Sequence, residues 1–307
     1  MHRVSVIIAA YNGATTIDRA VRSALAQRET AEVIVVDDAS TDATAAVAYA
    51  AAKGDERVRA VTLPTNAGPA AARNIALDHA IGTLICVLDA DDWMEEGRIA
   101  RLLASAGEGW HLAADDLLLF DPDSGSVPTP MFGRSGAVRT LSFLEFVRAN
   151  LPLAKLQRRE YGYLKPLIRR SFLEEHRLRY DERLRLGEDF VLYATALGLG
   201  ARFVLTPACG YVAVQRADSL SHKHSAADLL ALARADETLL QTVASNPAAC
   251  RLVRRHQRYT LDKYCHRAAL DAKERGDWMA VARALLGTPT SALHVFRETL
   301  DARMRPA

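Results

Sequence analysis

Four short β-rich runs, at residues 4–8, 32–36, 58–63 and 84–88, alternate with stretches of helical spacing, and this alternation constrains the fold more than any other feature. Three of the runs are almost wholly apolar, as strands are when helices cover both faces of a parallel sheet. Between the first two, Ile17, Ala20, Val21, Ala24 and Leu25 share one helix face. Residues 41–53 are rich in alanine and open on Ser40, Thr41 and Asp42, which suit a helix N-cap. Gly68-Pro69 introduces a third helix over 69–80, proline being favourable in the first turn. The order βαβαβαβ predicts an α/β fold with a mostly parallel sheet.

In such sheets ligands bind beyond the carboxyl ends of the strands. Each predicted strand here runs into polar or turn residues: Tyr11-Asn12-Gly13, Asp37-Asp38, Asn66-Ala67-Gly68 and Asp89-Ala90-Asp91-Asp92. The four ends are expected to converge on one cleft.

The carboxylates of Asp89, Asp91 and Asp92 repel one another, so burying them requires a cation. Hard carboxylate oxygens suit Mn2+ or Mg2+, often with substrate phosphates completing the shell. A strand-end turn with capping aspartates is the plainer alternative. Asp38 can accept a hydrogen bond from a nucleobase imide or a ribose hydroxyl, in a segment that also reads as an N-cap. Arg73 follows Asn66-Ala67-Gly68 by one helical turn, where it can meet a diphosphate or simply face solvent. Glu188 and Asp189 open a further helix, as a general base and its neighbour or as an acid pair favourable to the helix start. His222 lies in a polar segment after the last predicted strand, as a metal ligand, a diphosphate contact or an ordinary loop histidine. No GxGxxG follows the first strand and no GxxxxGK[ST] is present, which removes the main support for dinucleotide and P-loop readings.

The remainder is less regular. Residues 121–136 are rich in Pro, Gly and Ser and read as a loop; 201–206 and 211–215 read as strands; from about 226 the pattern is mainly helical. The 307 residues, 50% of them hydrophobic, suffice for a substantial core. A net charge of +2 implies no nucleic-acid partner. Its distribution is uneven: residues 1–100 hold nine Lys/Arg against fourteen Asp/Glu, a net of −5, and residues 251–307 hold twelve against six, a net of +6. An acidic front suits a metal-binding end, and a basic tail suits an anionic surface, although charge runs are also ordinary solvated surface. Cys86, Cys209, Cys250 and Cys265 form no CxxC pair, as in a reduced intracellular protein without structural zinc. The apolar run 4–10 is too short to span a membrane, so a cytoplasmic location is expected.

Taken together, Val4-Ser5-Val6-Ile7-Ile8-Ala9-Ala10-Tyr11-Asn12, Val35-Val36-Asp37-Asp38-Ala39-Ser40-Thr41-Asp42, Asn66-Ala67-Gly68-Pro69-Ala70-Ala71-Ala72-Arg73-Asn74 and Leu88-Asp89-Ala90-Asp91-Asp92 resemble, in order and spacing, the family-2 inverting glycosyltransferases of GT-A fold. The resemblance covers about residues 3–215 and leaves the helical tail outside. It implies that Ala10 and Tyr11 line a base pocket with Asn12 nearby, and that Asp38 binds a uracil-like base. Asn66, Gly68, Arg73 and Ala90 fall on the nucleotide-sugar side. Asp91 becomes the principal ligand of Mn2+ or Mg2+, with Asp89 near ribose and metal and His222 a candidate further ligand. Asp189 becomes the general base, while Glu188 and Asp92 serve acceptor placement or support.

Tyr161-Gly162-Tyr163-Leu164-Lys165-Pro166, Tyr180-Asp181-Glu182 and Leu186-Gly187-Glu188-Asp189 are similar, more narrowly, to succinoglycan-type exopolysaccharide glycosyltransferases. That similarity implies UDP-glucose as donor and a saccharide or lipid-linked saccharide acceptor. It also implies a peripheral place on the cytoplasmic face of the inner membrane, contacted through the basic C-terminal helices. The corresponding division is a nucleotide-sugar half at 1–106, an acceptor half at 107–225 and a helical extension at 226–307. A nucleotidyltransferase would require a basic phosphate loop after the first strand, and residues 11–15 carry no basic residue. A non-catalytic nucleotide-sugar-binding module is the other alternative.

Overall fold

The computed structural model describes residues 2–125, 127–133, 136–151, 160–215 and 224–286. The amino-terminal part alternates as expected: β1 (Val4–Ala10), α1 (Ile17–Leu25), β2 (Thr30–Asp37), α2 (Thr44–Ala51), β3 (Val58–Thr62), α3 (Pro69–His79) and β4 (Leu84–Val87). Then come β5 (Trp93–Met94), α4 (Arg98–Ala106), β6 (Leu112–Asp115), β7 (Leu118–Phe120), β8 (Thr129–Pro130), β9 (Arg139–Leu141) and α5 (Phe143–Ala149). A 3-10 turn at Tyr161–Tyr163 leads to β10 (Leu167–Arg169), α6 (Arg170–Glu175), α7 (Glu188–Gly198), β11 (Phe203–Thr206) and β12 (Tyr211–Val214). The chain then continues through α8 (Ala226–Thr242), α9 (Pro247–Glu274) and α10 (Trp278–Leu285).

Eight strands form the main sheet in the order β3-β2-β1-β4-β10-β6-β11-β9. The first four are mutually parallel. β10 is antiparallel to β4 and β6, β11 is parallel to β6, and β9 closes the far edge antiparallel. Val6, Ile7, Ile8, Val33–Val36 and Leu84–Val87 are buried because helices cover both faces there. β3 is the other edge, and its Arg59 and Thr62 are exposed. The strand order reverses direction between β1 and β4, the place where an α/β sheet leaves an open crevice. A smaller sheet, β5-β12-β7-β8, begins just after Asp92 and ties that segment to the end of the α/β part, Met94 opposite Tyr211.

The second helix departs from the expected start. Its N-cap position is Ala43, without a side-chain cap. Ser40 Oγ instead accepts the Asn12 N–H at 2.8 Å, and Asn12 Oδ1 accepts the Thr41 N–H at 2.9 Å. Asp42 accepts the N–H groups of Ala14 and Thr44, at 3.1 and 3.0 Å. The loops after β1 and β2 lie side by side: Ser40 and Asn12 satisfy each other's loop backbone, while Asp42 serves both the first loop and the Thr44 N–H that opens α2.

The helices after 224 pack on α5 and along α7. Phe190 stacks on His256 of α9, ring centroids 4.5 Å apart, and His256 Nδ1 lies 2.8 Å from the buried Asp236 Oδ2 of α8. Gly187, just before α7, has φ 74°, and a Cβ there would meet Leu232 Cδ1 of α8 at 2.9 Å. Left-handed backbone and the close approach both favour glycine. Gly187→Ala is therefore predicted to cost about 1–3 kcal/mol through strain and overpacking. The thermal midpoint should fall by several degrees, at about 2–4 °C per kcal/mol; a midpoint equal to wild type would show that this junction is not tight.

Candidate active site

The ends of β1, β2 and β4 and the starts of α3 and α7 meet at the crevice. The turn before α3 is built by Asp38, whose two carboxyl oxygens accept the N–H groups of Ala67 and Gly68 at 2.7 and 2.8 Å. Gly68 adopts φ 94°, and Pro69 begins α3 directly after it. Asn66 donates to the Asp38 carbonyl and accepts from Arg185. Ala10 is buried and its carbonyl accepts the Asp38 N–H at 2.8 Å, which brings the first two strand ends into contact. Tyr11 beside it is 52% exposed, an aromatic ring left at the rim. Asn12 is engaged by the second loop, through Ser40 and Thr41, and Ala90 is half-buried in the turn after β4.

One turn into α3, Arg73 is buried, and its guanidinium points at acids rather than at solvent. Nη2 lies 2.9 Å from Asp89 Oδ1 and Nη1 lies 2.6 Å from Glu188 Oε1 and 3.7 Å from Asp189 Oδ1. A second cation, Lys165, completes the cluster: its Nζ is 2.9 Å from Asp89 Oδ2 and 2.6 Å from Asp189 Oδ2. Tyr193, one turn along α7, donates to Asp189 Oδ1 at 3.3 Å. Thus Asp89 from the end of β4 and the Glu188-Asp189 pair from α7 are fastened together by one arginine and one lysine.

Lys165 carries no motif signature of its own. Its only cue in the sequence is indirect: the acidic strand ends need cations, and it falls in the short segment 161–166 whose resemblance is noted above. The electrostatics follow the geometry. Burial pushes the Asp89 carboxyl up, but Lys165 and then Arg73 outweigh it and hold the group at about 2, below the ordinary 3.8. Burial favours loss of the Lys165 proton, yet Asp189 and Asp89 hold it firmly protonated, well above the ordinary lysine range.

The three aspartates of the β4 turn face different ways. Asp89 lies on the two cations. Asp92 is buried and turned inward, Oδ2 accepting from the Tyr211 hydroxyl at 2.8 Å and Oδ1 from the Val214 N–H at 2.8 Å. Its burial, then the charges of Asp89 and Asp91, push its carboxyl well above the usual range. Asp91 is half-buried, and its carbonyl accepts from Arg19, whose guanidinium rests 3.9 Å over the Trp93 ring. No group of three or more His, Cys, Asp or Glu suited to a metal occurs among the described residues. Both carboxyl oxygens of Asp89 are engaged by Arg73 and Lys165, so a divalent ion at this turn would have to share that carboxylate with them and draw further ligands from substrate phosphates. His222 lies outside the described residues.

A family model described as "Glycosyl transferase family 2" matches residues 5–150. The chain is 45% identical to the succinoglycan biosynthesis protein ExoU of Rhizobium meliloti, over 89% of this chain and 79% of that protein. Among solved structures, Staphylococcus aureus TarS 1–349 in complex with UDP-GlcNAc aligns with a TM-score of 0.63 at 19% identity, covering 92% of this chain and 90% of that one. A mannosyltransferase from Pyrobaculum calidifontis in complex with GDP-Man and Mn2+ aligns with a TM-score of 0.59 at 18% identity, over 97% and 80% of the two chains. The architecture is the GT-A fold with a helical C-terminal region.

The depressed Asp89 fixes a pH dependence. A carboxyl titrating at about 2 in the folded chain and near its ordinary 3.8 when unfolded contributes stability above pH 3.8, lost as pH falls through about 2. Lys165→Met leaves Arg73 alone to offset burial, so folded Asp89 should titrate closer to 3.8, and the acid-dependent loss should be smaller and complete at higher pH. Breaking a buried pair from one side also costs about 3–5 kcal/mol. Urea unfolding of both proteins across acid pH tests this. Parallel curves of equal height would mean Lys165 does not hold the acids.

Proposed function

The chain belongs to glycosyl transferase family 2, and on that footing we propose that it moves a sugar from UDP to a hydroxyl of a lipid-linked saccharide, with metal-dependent inversion, in exopolysaccharide synthesis. The observation that carries the reading is the fastening of Asp89 to Glu188 and Asp189 by Arg73 and Lys165. It joins Asp89, which we read as a donor-side acid, to Asp189, which we read as the base, in one charge cluster. The named role of the 45% identical relative in succinoglycan biosynthesis supports the product class. The UDP-GlcNAc complex of the structural neighbour supports a UDP-sugar donor. Glucose is our reading of the sugar, from the narrower sequence similarity.

In this mechanism Ala10, Tyr11, Asn12 and Asp38 form the base side of the donor site, and Asn66, Gly68 and Ala90 border the route to the diphosphate. Asp91, with Asp89, would hold Mn2+ or Mg2+, with His222 a candidate further ligand. When bound, the ion neutralises charge on the departing diphosphate. Arg73 acts beneath the nucleotide, by orienting acids. Lys165 occupies Asp189 Oδ2 at 2.6 Å, while the contacts of Oδ1 are longer, 3.3 and 3.7 Å, so Oδ1 is the oxygen offered to the acceptor. That oxygen takes the proton of the acceptor hydroxyl as the hydroxyl oxygen bonds to the anomeric carbon. The bond to UDP breaks and UDP leaves with the electron pair. Glu188, held by Arg73, orients the base or the acceptor.

We assign residues 1–106 to the nucleotide-sugar half, 107–225 to the acceptor half and 226–307 to a helical extension, of which residues 287–307 lie outside the described residues. Its basic residues would rest on the anionic cytoplasmic face that carries the acceptor. No described helix is long and apolar enough to cross a membrane.

Asp189→Asn keeps the shape of the base and removes its function. It should bind UDP as wild type does and lose about 10²- to 10⁴-fold in transfer rate. Near-normal turnover would place the base elsewhere. Asp91→Ala should abolish the enhancement of UDP binding by Mn2+, measured by calorimetry with and without the ion. An undiminished enhancement would remove Asp91 from the metal site.

A further inference from the structure

Arg98 is the first residue of α4, and no part of it reaches solvent. Both circumstances are unfavourable. A cation at a helix N-terminus faces the positive end of the helix dipole, and burying a guanidinium strips its hydration. Asp115, equally buried at the end of β6, offsets them: its Oδ1 accepts from Arg98 Nη2 at 2.6 Å and Nε at 3.0 Å. Well-packed apolar residues in place of such a pair are often at least as stable. Stability therefore does not explain the pair, and its neighbours supply a better reason.

Two arms run from Arg98 to Asp89. In the first, Arg98 Nη2 donates to the Lys165 carbonyl at 2.8 Å, and the Lys165 ammonium lies 2.9 Å from Asp89 Oδ2. In the second, Asp115 Oδ2 accepts the N–H groups of Cys209 and Tyr211 at 2.9 and 3.3 Å, and Arg98 lies 4.9 Å over the Tyr211 ring. The Tyr211 hydroxyl then accepts the Asp89 N–H at 3.1 Å and donates to Asp92 Oδ2 at 2.8 Å. Asp89 is thus held at its carboxylate by one arm and at its backbone by the other. Asp92, bound also to the Val214 N–H, anchors the turn from within.

We propose that the buried Arg98–Asp115 pair positions Asp89 for the donor, acting through Lys165 and Tyr211. The proposal rests on the reading of Asp89 as a donor-side residue. Arg98, Asp115 and Tyr211 are positioning residues: each acts through another group.

Two variants separate positioning from support of the fold. Tyr211→Phe deletes one hydroxyl and cuts the second arm at its last atom. The double variant Arg98→Met with Asp115→Asn removes both charges, leaves no unpaired ion, and keeps an amide oxygen for the Cys209 and Tyr211 N–H groups. The full chain is titrated with UDP, GDP and ADP in the presence of Mn2+ by calorimetry, thermal midpoints are recorded, and donor KM and kcat are measured. Tyr211→Phe should keep its midpoint within a few degrees, bind the nucleotide about tenfold more weakly, as for a lost hydrogen bond to a charged group, and raise donor KM in parallel with little change in kcat. The double variant should lose more affinity, having lost both arms.

A merely structural role would lower the midpoints and leave the affinity of the folded protein unchanged, and that result overturns the proposal. If the double variant does not fold, Tyr211→Phe decides alone. Wild-type protein that binds none of the nucleotides refutes the donor-site reading and this proposal with it. Wild-type binding matched by both variants refutes the positioning role alone.

Discussion

Arg73 and Lys165 are buried cations set among Asp89, Glu188 and Asp189, and the rest of the site depends on that arrangement. Without them the end of β4 and the start of α7 would each bring carboxylates into a space with little water, and repulsion would drive the two apart. With them, three elements distant in sequence, α3, the segment before β10 and α7, become one electrostatic unit. Burial raises a carboxyl pKa when nothing opposes it, yet Asp89 is held at about 2. The cations therefore dominate the local field at Asp89 and keep that carboxyl ionised.

Much of this is legible in the chain. The runs mark β1 to β4 to within two residues, and for β1, β2 and β4 the reason is that strands buried on both faces leave little choice of side chain. The polar residues closing each run locate the crevice, since the order of those strands puts their carboxyl ends together. The cations are harder to see. Lys165 sits beside a 3-10 turn without periodicity and meets Asp189, 24 residues later, only through the fold. Arg98 begins an amphipathic helix, where an arginine ordinarily faces water, and its partner Asp115 ends a strand too short to announce itself. Ser40 and Thr41 read as a cap because local rules see only their own helix, whereas the competing backbone groups belong to the loop after β1.

Among the described residues, the helical part after residue 224 packs on α5 and along α7, and reaches the site at the start of α7. Gly187 lets α8 approach the start of α7, and Phe190 is clamped against His256, itself held by Asp236. Residues on either side of Asp189 are thus fixed by helices outside the α/β sheet. The extension is part of the scaffold of the proposed base, whatever surface its basic side chains meet.

The proposed chemistry has one acid, Asp189, placed to take the acceptor's proton, and the cations beside it hold that acid against the donor-side turn. A single displacement at the anomeric carbon follows, and its signature is stereochemical. The anomeric configuration of the newly formed linkage, read by proton NMR on the product made from an α-linked UDP-sugar, tests this directly. Single displacement predicts a β linkage. An α linkage would mean that the configuration is retained, and Asp189 with its two cations would then not be the base of a single-displacement reaction.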